Sequence, residues 1–425
     1  FYMLEINFIK ENKDLVVKSL SKRNLDSSSM IESVIEIDIK KRKIQTELDS
    51  ILHQLNLISK DIGDLFKKGL QKDAQILKEK TVKLKENSKK LNEDLITTKE
   101  ELQSILNKIP NIPHELVPIG KSEEDNVEIF SDGDIPKLME GSLPHWEIAK
   151  KYDIIDFELG NKITGAGFPV YKGKGAKLQR ALISFFLDMN TQAGYNEVQV
   201  PHLINEQSGF GTGQLPDKEG MMYYINEDNL YLIPTAEVPA TNIFRDEIIL
   251  ESDLPKLLTS YTPCFRREAG SYGAHVRGLN RLHQFDKVEI LRVEHPNNSY
   301  AALDTMVEHV KSIINKLKLP YRILKLCGSD LGFTSSLTYD FELFSAGQSK
   351  WLEVSSVSNF ETFQANRLKL RFKNKSGKTQ LAHTLNGSSL ALPRVLATLL
   401  ENNQTPNGIV IPDVLVPYTG FSIID

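Results

Sequence analysis

The sequence contains little cysteine, no long apolar run and no low-complexity tract. Its only two cysteines, Cys264 and Cys327, form neither a CxxC pair nor a disulfide framework. The longest apolar runs, such as residues 181–187, fall well short of the roughly 20 residues that cross a bilayer. Because the start also lacks a basic segment followed by an apolar one, we expect a cytoplasmic protein with no membrane segment.

The length and the charge distribution favour two unequal parts. A chain of 425 residues exceeds the size at which one hydrophobic core keeps growing, roughly 250 to 300 residues. The net charge of −4 divides unevenly, since residues 1–110 carry 21 Lys and Arg against 18 Asp and Glu, and the remainder carries 31 against 38. The first part is therefore +3 and the second −7. This is compatible with RNA binding by the first part, although slightly basic surfaces are common.

Residues 34–109 repeat apolar positions three and four residues apart, which is the spacing of a coiled-coil seam. A short segment at residues 66–69 separates two such series, so we expect two long helices packed as an antiparallel hairpin. An oligomeric coiled coil is the alternative interpretation. Polar seam positions such as Lys41, Thr81 and Ser88, together with the abrupt reversal, favour a hairpin within one chain.

Proline residues mark the boundary between the two parts. Pro110, Pro113 and Pro118 should end the second helix, because proline lacks a backbone donor and clashes with the preceding turn. We therefore predict a helical arm at residues 1–110 and a second domain at residues 111–425. In that domain, β-rich runs at 195–200, 230–234, 284–293 and 350–354 are separated by helical patterns at 176–191 and 299–317. The pattern predicts an α+β fold with a mostly antiparallel sheet and flanking helices.

Two apolar-alternating segments between residues 261 and 290 flank a loop that is rich in glycine and arginine. We expect Arg266 and Glu268, two apart on one strand, to point to the same face. An arginine so placed can hold a phosphate, while the carboxylate accepts a hydrogen bond from an adenine amine. Such a pair on its own is more commonly a surface ion pair.

Two further segments add chemistry of the same kind. Residues 383–402 should form a polar, glycine-containing turn that leads into a helix, where Arg394 can meet a triphosphate. Residues 351–356 should place Glu353 and Ser355 on one strand face and offer oxygen ligands suited to Mg²⁺.

Together these segments resemble the class II aminoacyl-tRNA synthetases, whose second motif has the form of Phe265-Arg266-Arg267-Glu268 and whose third ends in arginine. More specific runs are similar to the seryl-tRNA synthetase family. They are Thr235-Ala236-Glu237, HQFDKVE at 283–289, LEVSSVSNF at 352–360, HTLNGS at 383–388 and the opening segment at 4–23. The resemblance covers nearly the whole chain.

The resemblance implies ATP-dependent attachment of L-serine to tRNA(Ser) through a seryl-adenylate, with Mg²⁺ as cofactor and AMP and pyrophosphate as products. Arg266, Glu268 and Arg394 are the implied catalytic residues. The implied serine-binding residues are Thr235, Ala236, Glu237, Arg266, Glu289 and Ser388. The implied ATP-binding residues are Arg266, Arg267, Glu268, Phe285, Glu353, Val354, Ser355, Ser356 and Arg394, of which Glu353 and Ser356 would hold the metal.

The resemblance also implies partners. The arm would bind tRNA by shape, with candidate phosphate contacts at residues 40–43, 67, 68 and the lysines between 78 and 90. The helix at 176–191 resembles a motif that forms a homodimer interface, although its apolar face could equally be ordinary core. Whether the selenocysteine tRNA is also a substrate stays open.

The chain departs from the usual family pattern at a few positions. Ser389 and Pro393 stand where glycines are common, and Ala274 and His275 stand where a basic and an acidic residue are usual. Proline just before Arg394 raises the question of whether the helix can begin there.

Three alternatives follow. The first is an interaction protein with an inactive synthetase-like body, against which the retained arginines and glutamates count. The second is a ligase that loads an amino acid onto a carrier protein, although such relatives usually lack the full hairpin. The third is a synthetase for threonine or proline, which the Thr-Ala-Glu and HTLNGS runs disfavour.

Overall fold

The structure is a computed structural model that describes residues 6–217, 220–268 and 277–425. Ala274 and His275 lie outside the described residues. The chain forms two compact units, one of residues 1–21 and 25–110 and the other of residues 22–24 and 111–425. No helix in the described ranges is both long and apolar enough to span a membrane.

The first unit is helical. Its helices are α1 Ile6–Glu11, α2 Lys13–Ser21, α3 Ser28–Lys67 and α4 Gln71–Leu106. The predicted antiparallel hairpin is confirmed, because α3 and α4 pair along their length and reverse at Gly69, whose φ of +75° lies in the region that favours glycine. Seam positions on both helices are buried, among them Val34, Ile51, Thr98 and Leu102.

The charged interruption of the seam at Lys41 has a local explanation. Lys41 forms an ion pair at 2.8 Å with Asp38, whose side chain is 1% exposed. Lys10 and Arg42 pair with the same carboxylate at 3.3 and 2.8 Å. Although burial acts to raise it, these hydrogen-bonded cations hold the pKa of Asp38 below its usual value. Two of the basic residues predicted at 40–43, Lys41 and Arg42, are therefore already paired with a buried carboxylate.

The second unit contains the sheet and its flanking helices. Its helices are α5 His145–Lys151, α6 Phe157–Ile163, α7 Gly173–Gln192, α8 Glu206–Thr212, α9 Glu237–Asn242, α10 Ser299–Leu317, α11 Thr362–Leu368, α12 Leu392–Asn402 and α13 Val416–Thr419. Its strands are β1 Val127–Asp132, β2 Ile155–Asp156, β3 Val170–Tyr171, β4 Asn196–Glu197, β5 Leu203–Asn205, β6 Tyr224–Ile225, β7 Leu230–Leu232, β8 Ile248–Leu250, β9 Lys256–Phe265, β10 Gln284–Glu294, β11 Tyr321–Lys325, β12 Leu337–Ser345, β13 Lys350–Glu361, β14 Arg371–Lys373, β15 Thr379–Leu381, β16 His383–Ala391, β17 Gln404–Thr405, β18 Gly408–Val410 and β19 Ile423–Ile424.

Among the residues that the structure describes, eight strands form the main sheet, in the order β1-β11-β12-β13-β16-β10-β9-β4. Every neighbouring pair is antiparallel except β4 and β9, so the predicted α+β fold with a mostly antiparallel sheet is confirmed. Side chains alternate across the sheet. On β10, Val288 and Ile290 join the main apolar core with α7, α10 and α12, whereas Lys287 and Glu289 line a cavity on the other face.

One local prediction was wrong, and one predicted strand is shorter than expected. The polar run at 383–388 is not a turn but part of β16, a central strand between β13 and β10. Its polar residues look turn-like because Asn386 and Ser388 face the cavity, while Leu385 faces the core. The run at 195–200 forms only the two-residue strand β4, paired with one end of β9.

The apolar stripe on α7 belongs to the interior of the second unit. Leu178, Leu182, Phe185 and Phe186 are at most 4% exposed and pack in the main core, with Met189 against it. The stripe is therefore ordinary core, and it contributes no argument for a dimer interface.

Candidate active site

A cavity of about 540 Å³ lies on the sheet face opposite the main core. It brings together twelve of the fourteen residues predicted to bind serine, ATP or metal. They are Thr235, Glu237, Arg266, Glu268, Phe285, Glu289, Glu353, Val354, Ser355, Ser356, Ser388 and Arg394. The other two lie elsewhere, since Ala236 is fully buried without lining the cavity and Arg267 is exposed.

Arg266 follows directly after β9, where the chain leaves the sheet. Its Nε donates to the carbonyl oxygen of Pro234 at 3.3 Å, and its guanidinium lies 5.2 Å from the ring centre of Phe285. A guanidinium over an aromatic face is held by a cation–π contact, which fixes both groups. Phe285 thereby presents a flat apolar surface beside a positive charge.

Arg266 and Glu268 are not on one strand, contrary to the prediction. β9 ends at Phe265, and Glu268 adopts a φ of +48°, which breaks the alternation of an extended chain. Both side chains still line the cavity, because Glu268 forms an ion pair with Arg281 on the other side of the loop.

A β-bulge on β13 arranges the two predicted metal ligands. Glu342 on β12 is opposite Glu353, but the preceding Phe341 is opposite Ser355, so Val354 is the extra residue. The bulge places Glu353 and Ser356 on one face, with the Ser356 Oγ donating to Glu353 Oε1 at 3.3 Å. Ser355, which alternation had paired with Glu353, instead donates to the carbonyl oxygen of Ser388 at 2.6 Å.

The neighbourhood of Glu353 and Ser356 fits a hard divalent cation. Both offer oxygen, which Mg²⁺ prefers. Asp340 is opposite Ser356 on β12, and its Oδ1 is buried with no hydrogen-bond partner among the described residues. Burial and the nearby charge of Glu353 raise the pKa of Asp340 well above its usual value. A concentration of negative charge of this kind favours a cation.

Arg394 lies in the first turn of α12, directly after Pro393. Proline is well tolerated there, because the first helical N–H groups have no intrahelical partner, and α12 begins at Leu392 with Pro393 in its first turn. The Nε of Arg394 donates to the carbonyl oxygen of Asn280 at 3.0 Å and Nη1 to that of Glu353 at 2.8 Å. Ser389, the other departure, donates from a buried position to Asn190 Oδ1 at 2.8 Å.

The deepest part of the cavity holds buried charges. Lys287 forms an ion pair at 2.7 Å with Glu289, and the two side chains are 9% and 3% exposed. Thr235 Oγ1 donates to the same carboxylate oxygen, Glu289 Oε2, at 3.5 Å. Glu237 accepts a 2.6 Å hydrogen bond from Gln364 Nε2, and Gln364 Oε1 in turn accepts from Thr384 at 2.7 Å.

The acidity of the Glu237 carboxyl group is perturbed by its surroundings. Burial, followed by repulsion from Glu289, raises its pKa to about 7, even though the hydrogen bond from Gln364 and the charge of Lys287 act in the opposite direction. A ligand that brings a positive charge to this carboxylate would restore its ionised form.

Comparison with known proteins assigns the family. The family described as "Seryl-tRNA synthetase N-terminal domain" matches residues 3–113, and "tRNA synthetase class II core domain (G, H, P, S and T)" matches residues 223–403. A protein named serine--tRNA ligase from Salinibacter ruber is 47% identical over 99% of both chains, and one from Hydrogenobaculum sp. is 45% identical over 98% of this chain and 99% of its own. The chain belongs to the seryl-tRNA synthetase family.

Solved structures of the seryl-tRNA synthetase family share the fold over the full length. The enzyme from Pyrococcus horikoshii, complexed with ATP, matches with a TM-score of 0.90 and 32% identity over 99% of both chains. The cytoplasmic enzyme from Naegleria fowleri, in complex with AMP, matches with a TM-score of 0.86 and 25% identity, over 99% of this chain and 98% of its own.

As a member of the seryl-tRNA synthetase family, the enzyme attaches serine to tRNA in an ATP-dependent reaction. The relatives span the whole chain, so the alternatives of a threonine or proline synthetase and of a carrier-protein ligase are not supported. The prediction of a synthetase with a class II core and a helical arm is confirmed.

Several polar residues that line or support the cavity were not predicted from the sequence. Lys287 could have been found, because it lies two residues before Glu289 on one strand and must share its face. Asn386 likewise lies two residues before Ser388. Gln364 carries no such signal, since it lies on α11 and acts through another side chain.

Proposed function

We propose that the cavity holds serine in its buried cluster and the phosphates of ATP in its open cluster. The buried cluster comprises Thr235, Glu237, Lys287, Glu289 and Ser388, and Gln364 supports it from outside the cavity. The open cluster comprises Arg266, Glu268, Phe285, Glu353, Ser356 and Arg394. The observation that carries the proposal is the presence in one cavity of a raised-pKa carboxylate suited to an ammonium group and of arginines suited to phosphates.

In the buried cluster, Glu237 is the partner for the serine ammonium. Glu289 is already neutralised by Lys287, so Glu237 retains the unbalanced carboxylate. Thr235 and Ser388 offer hydroxyl groups to the substrate, and Ala236 places its two neighbours through the main chain. A site that hydrogen-bonds the serine hydroxyl rejects alanine strongly, because the buried polar groups would be left unpaired.

In the open cluster, the groups match the parts of ATP. The ring of Phe285 receives the adenine, and Glu268 accepts from its amine. Arg266 holds the α-phosphate together with the serine carboxylate, whereas Arg394 contacts the terminal phosphates. Val354 and Ser355 line the nucleotide, and Arg267, which is exposed, approaches ATP only from the rim.

The chemistry follows from this placement. A serine carboxylate oxygen attacks the α-phosphorus, a new P–O bond forms, and the bond to pyrophosphate breaks, which leaves seryl-adenylate. No side-chain nucleophile is needed, since positioning and neutralisation of the developing charge supply the rate. The terminal ribose hydroxyl of tRNA then attacks the seryl carbonyl, and AMP departs.

Glu353 and Ser356 would hold Mg²⁺ beside the phosphates. The ion supplies neutralisation of phosphate charge when bound. The protein contributes the bulge that aligns both oxygens and the guanidinium of Arg394, which lies 3.7 Å from Glu353 Oε2. This contact would keep the carboxylate oriented.

We further propose that residues 1–110 bind tRNA(Ser) and residues 111–425 catalyse, in a cytoplasmic homodimer. The exposed lysines of α4 between 78 and 90 support backbone recognition of RNA. The homodimer rests on family membership alone. Use of the selenocysteine tRNA would follow if recognition is by arm shape.

Serine-dependent exchange of labelled pyrophosphate into ATP tests the proposal, with threonine, alanine, cysteine and proline run in parallel. Exchange with serine alone is expected, in the absence of tRNA. Deleting residues 29–107 should spare this exchange and abolish aminoacylation. Exchange that requires tRNA, or that is lost together with the arm, would contradict separable activation.

A further inference from the structure

We propose that Asn280 is a positioning residue for Arg394, held in place by a buried hydrogen-bond network centred on Glu401. The inference rests on the proposed role of Arg394 in binding the phosphates of ATP. It adds a group of residues, namely His145, Asn280, Ser345, Gln348 and Glu401, that the resemblance did not indicate.

The guanidinium of Arg394 is oriented by main-chain carbonyls. Nε donates to the carbonyl oxygen of Asn280 and Nη1 to that of Glu353, and these two bonds fix the plane of the group. Within the described ranges, Nη2 makes no hydrogen bond, so it is available to a phosphate. The direction in which Arg394 presents its free N–H groups therefore depends on where Asn280 lies.

Asn280 is held by its side chain. Its Nδ2 donates to Gln348 Oε1 at 2.8 Å, and the residue is 4% exposed. Gln348 lies in the turn between β12 and β13, and its own Nε2 donates to Ser345 Oγ at 2.9 Å and to Glu401 Oε1 at 3.1 Å. Because both ends of the Gln348 amide are engaged, it cannot rotate without losing hydrogen bonds.

The preceding residue is held by the same carboxylate. The N–H of Leu279 donates to His145 Nε2 at 2.8 Å, so the ring proton of His145 is on Nδ1, which donates to Glu401 Oε1 at 2.7 Å. The main-chain N–H of His145 donates to the same oxygen at 2.9 Å, and Ser345 donates to Glu401 Oε2. Residues 279 and 280 are thus both tied to Glu401.

The network closes on the helix that carries Arg394. Glu401 lies seven residues further along α12, which is about two turns, so the two side chains leave the same face of the helix. The helix α12 therefore carries Arg394 and, through Glu401, also positions the Asn280 carbonyl oxygen that accepts a hydrogen bond from Arg394. His145 and Glu401 are fully buried, and a buried carboxylate with this many donors resists rearrangement.

The network also anchors the end of the loop that follows Glu268. A Cβ on Gly278 would lie 2.2 Å from His145 Nε2, so the chain passes directly over the imidazole. The φ of Gly278 is +68°, which again favours glycine. The backbone from 278 to 280 is consequently fixed at three successive residues.

The test compares Asn280→Ala, Gln348→Ala and their combination in pyrophosphate exchange, with ATP and serine varied separately. We expect each single change to raise the KM for ATP about 3- to 10-fold and to leave the KM for serine within about twofold. The double variant should be no worse than the worse single variant, because each change breaks the same hydrogen bond between Asn280 and Gln348. Gln348 does not line the cavity, so its effect cannot come from lost substrate contact.

Controls separate this inference from the proposed function. Asn403→Ala, which removes another amide near the end of α12 that donates to Val410 at 3.0 Å, should leave both KM values unchanged. Asn280→Asp is isosteric and removes the donor, so it should reproduce the effect if Asn280→Ala fails to fold. In an Arg394→Ala background, Asn280→Ala should have no further effect.

An unchanged KM for ATP in Asn280→Ala and Gln348→Ala would overturn the inference, as would multiplicative effects or equal rises for both substrates. If Arg394→Ala raises the KM for ATP while the Asn280 variants do not, only the positioning role fails. If Arg394→Ala itself has no effect, the proposed role of Arg394 fails as well.

Discussion

The two clusters of the cavity differ in how their charged side chains are stabilised. In the buried cluster, the side chains of Lys287 and Glu289 are 9% and 3% exposed and neutralise each other. In the open cluster, the side chains of Arg394 and Glu353 are 32% and 48% exposed, and the arginine is held by main-chain carbonyls. Water screens the second pair but not the first. Ligand binding in the buried cluster should therefore depend on the protonation state of Glu237. Ligand binding in the open cluster should depend on the positions of the N–H donors.

This difference suits the proposed assignment of serine to the buried cluster and of ATP to the open cluster. Serine is small and must be told from alanine and threonine, which requires desolvated polar partners whose loss is costly. ATP carries several charges that are already strongly hydrated, so correctly placed N–H groups are worth more than burial. Each cluster should consequently fail in a different manner when it is altered.

Replacing Arg266 should have the largest effect, because its proposed contacts with the α-phosphate and the serine carboxylate would serve both clusters. We expect Arg266→Ala to lower kcat/KM for activation about 10³-fold, the loss seen when a preorganised donor to a developing charge is removed. Pyrophosphate exchange measures it.

Arg266→Lys is the matched variant, since it retains the charge and loses the planar fork that contacts Pro234 and Phe285. Its kcat/KM for activation should lie between the values of the unaltered enzyme and of Arg266→Ala. If both variants lose activity to the same extent and their thermal midpoints fall equally, the role of Arg266 is structural. Arg266 would then not connect the two clusters.

Glu237→Gln should produce the next largest effect, and only toward serine. Removing one partner of a buried charge interaction costs enough to raise the KM for serine roughly 100-fold, while the KM for ATP stays nearly constant. Titration of each substrate in the exchange assay separates the two. Glu227→Gln, at an exposed position, is the control. Equal changes for ATP and serine would mean that the two clusters are not distinct.

The sequence was most informative where structure depends on local spacing. The hairpin followed from apolar positions three and four residues apart, and the helix predicted at 299–317 has the bounds Ser299–Leu317 in the structure. Those signals are local because each helix buries one stripe. Their placement in the sequence first indicated five candidate site residues, Arg266, Glu268, Glu353, Ser355 and Arg394, and the resemblance to a family supplied the others. The structure brings twelve of the fourteen into one cavity.

The sequence was least informative where polar residues face a cavity. The run at 383–388 resembled a turn, although it is a central strand whose polar side chains line the site. The bulge at Val354 changed which serine accompanies Glu353, and no alternation rule could predict it. Gln364 and Gln348 act through other residues, so neither periodicity nor spacing marks them.

The buried cluster should respond to pH near neutrality. Because the pKa of free Glu237 is raised to about 7, and because the serine ammonium favours its ionised form, serine binding should strengthen as pH rises. We expect the KM for serine to fall about tenfold between pH 6 and pH 8, as the ionised fraction grows. The KM for ATP should not follow this profile. A Glu237→Gln enzyme with an unchanged pH profile would assign the effect to another group.

The smallest predicted effect concerns Gln364, a residue outside the cavity that contacts the Glu237 carboxylate inside it. Its Nε2 donates to Glu237 at 2.6 Å, and Thr384 holds its Oε1, so the amide has one orientation. Loss of this hydrogen bond removes an interaction that lowers the pKa of Glu237. In Gln364→Ala, the pKa of Glu237 should therefore lie above 7.

At pH 7 the KM for serine should rise about fivefold in Gln364→Ala, the cost of one hydrogen bond, and the deficit should shrink at pH 8 as Glu237 ionises again. Gln179→Ala is the matched control, because Gln179 is also buried and donates to a carboxylate, Asp286, at 2.9 Å, outside the cavity. If the KM for serine is raised by the same factor at both pH values, Gln364 shapes the pocket without controlling its charge. The effect of a purely steric change on this KM does not depend on whether Glu237 is protonated.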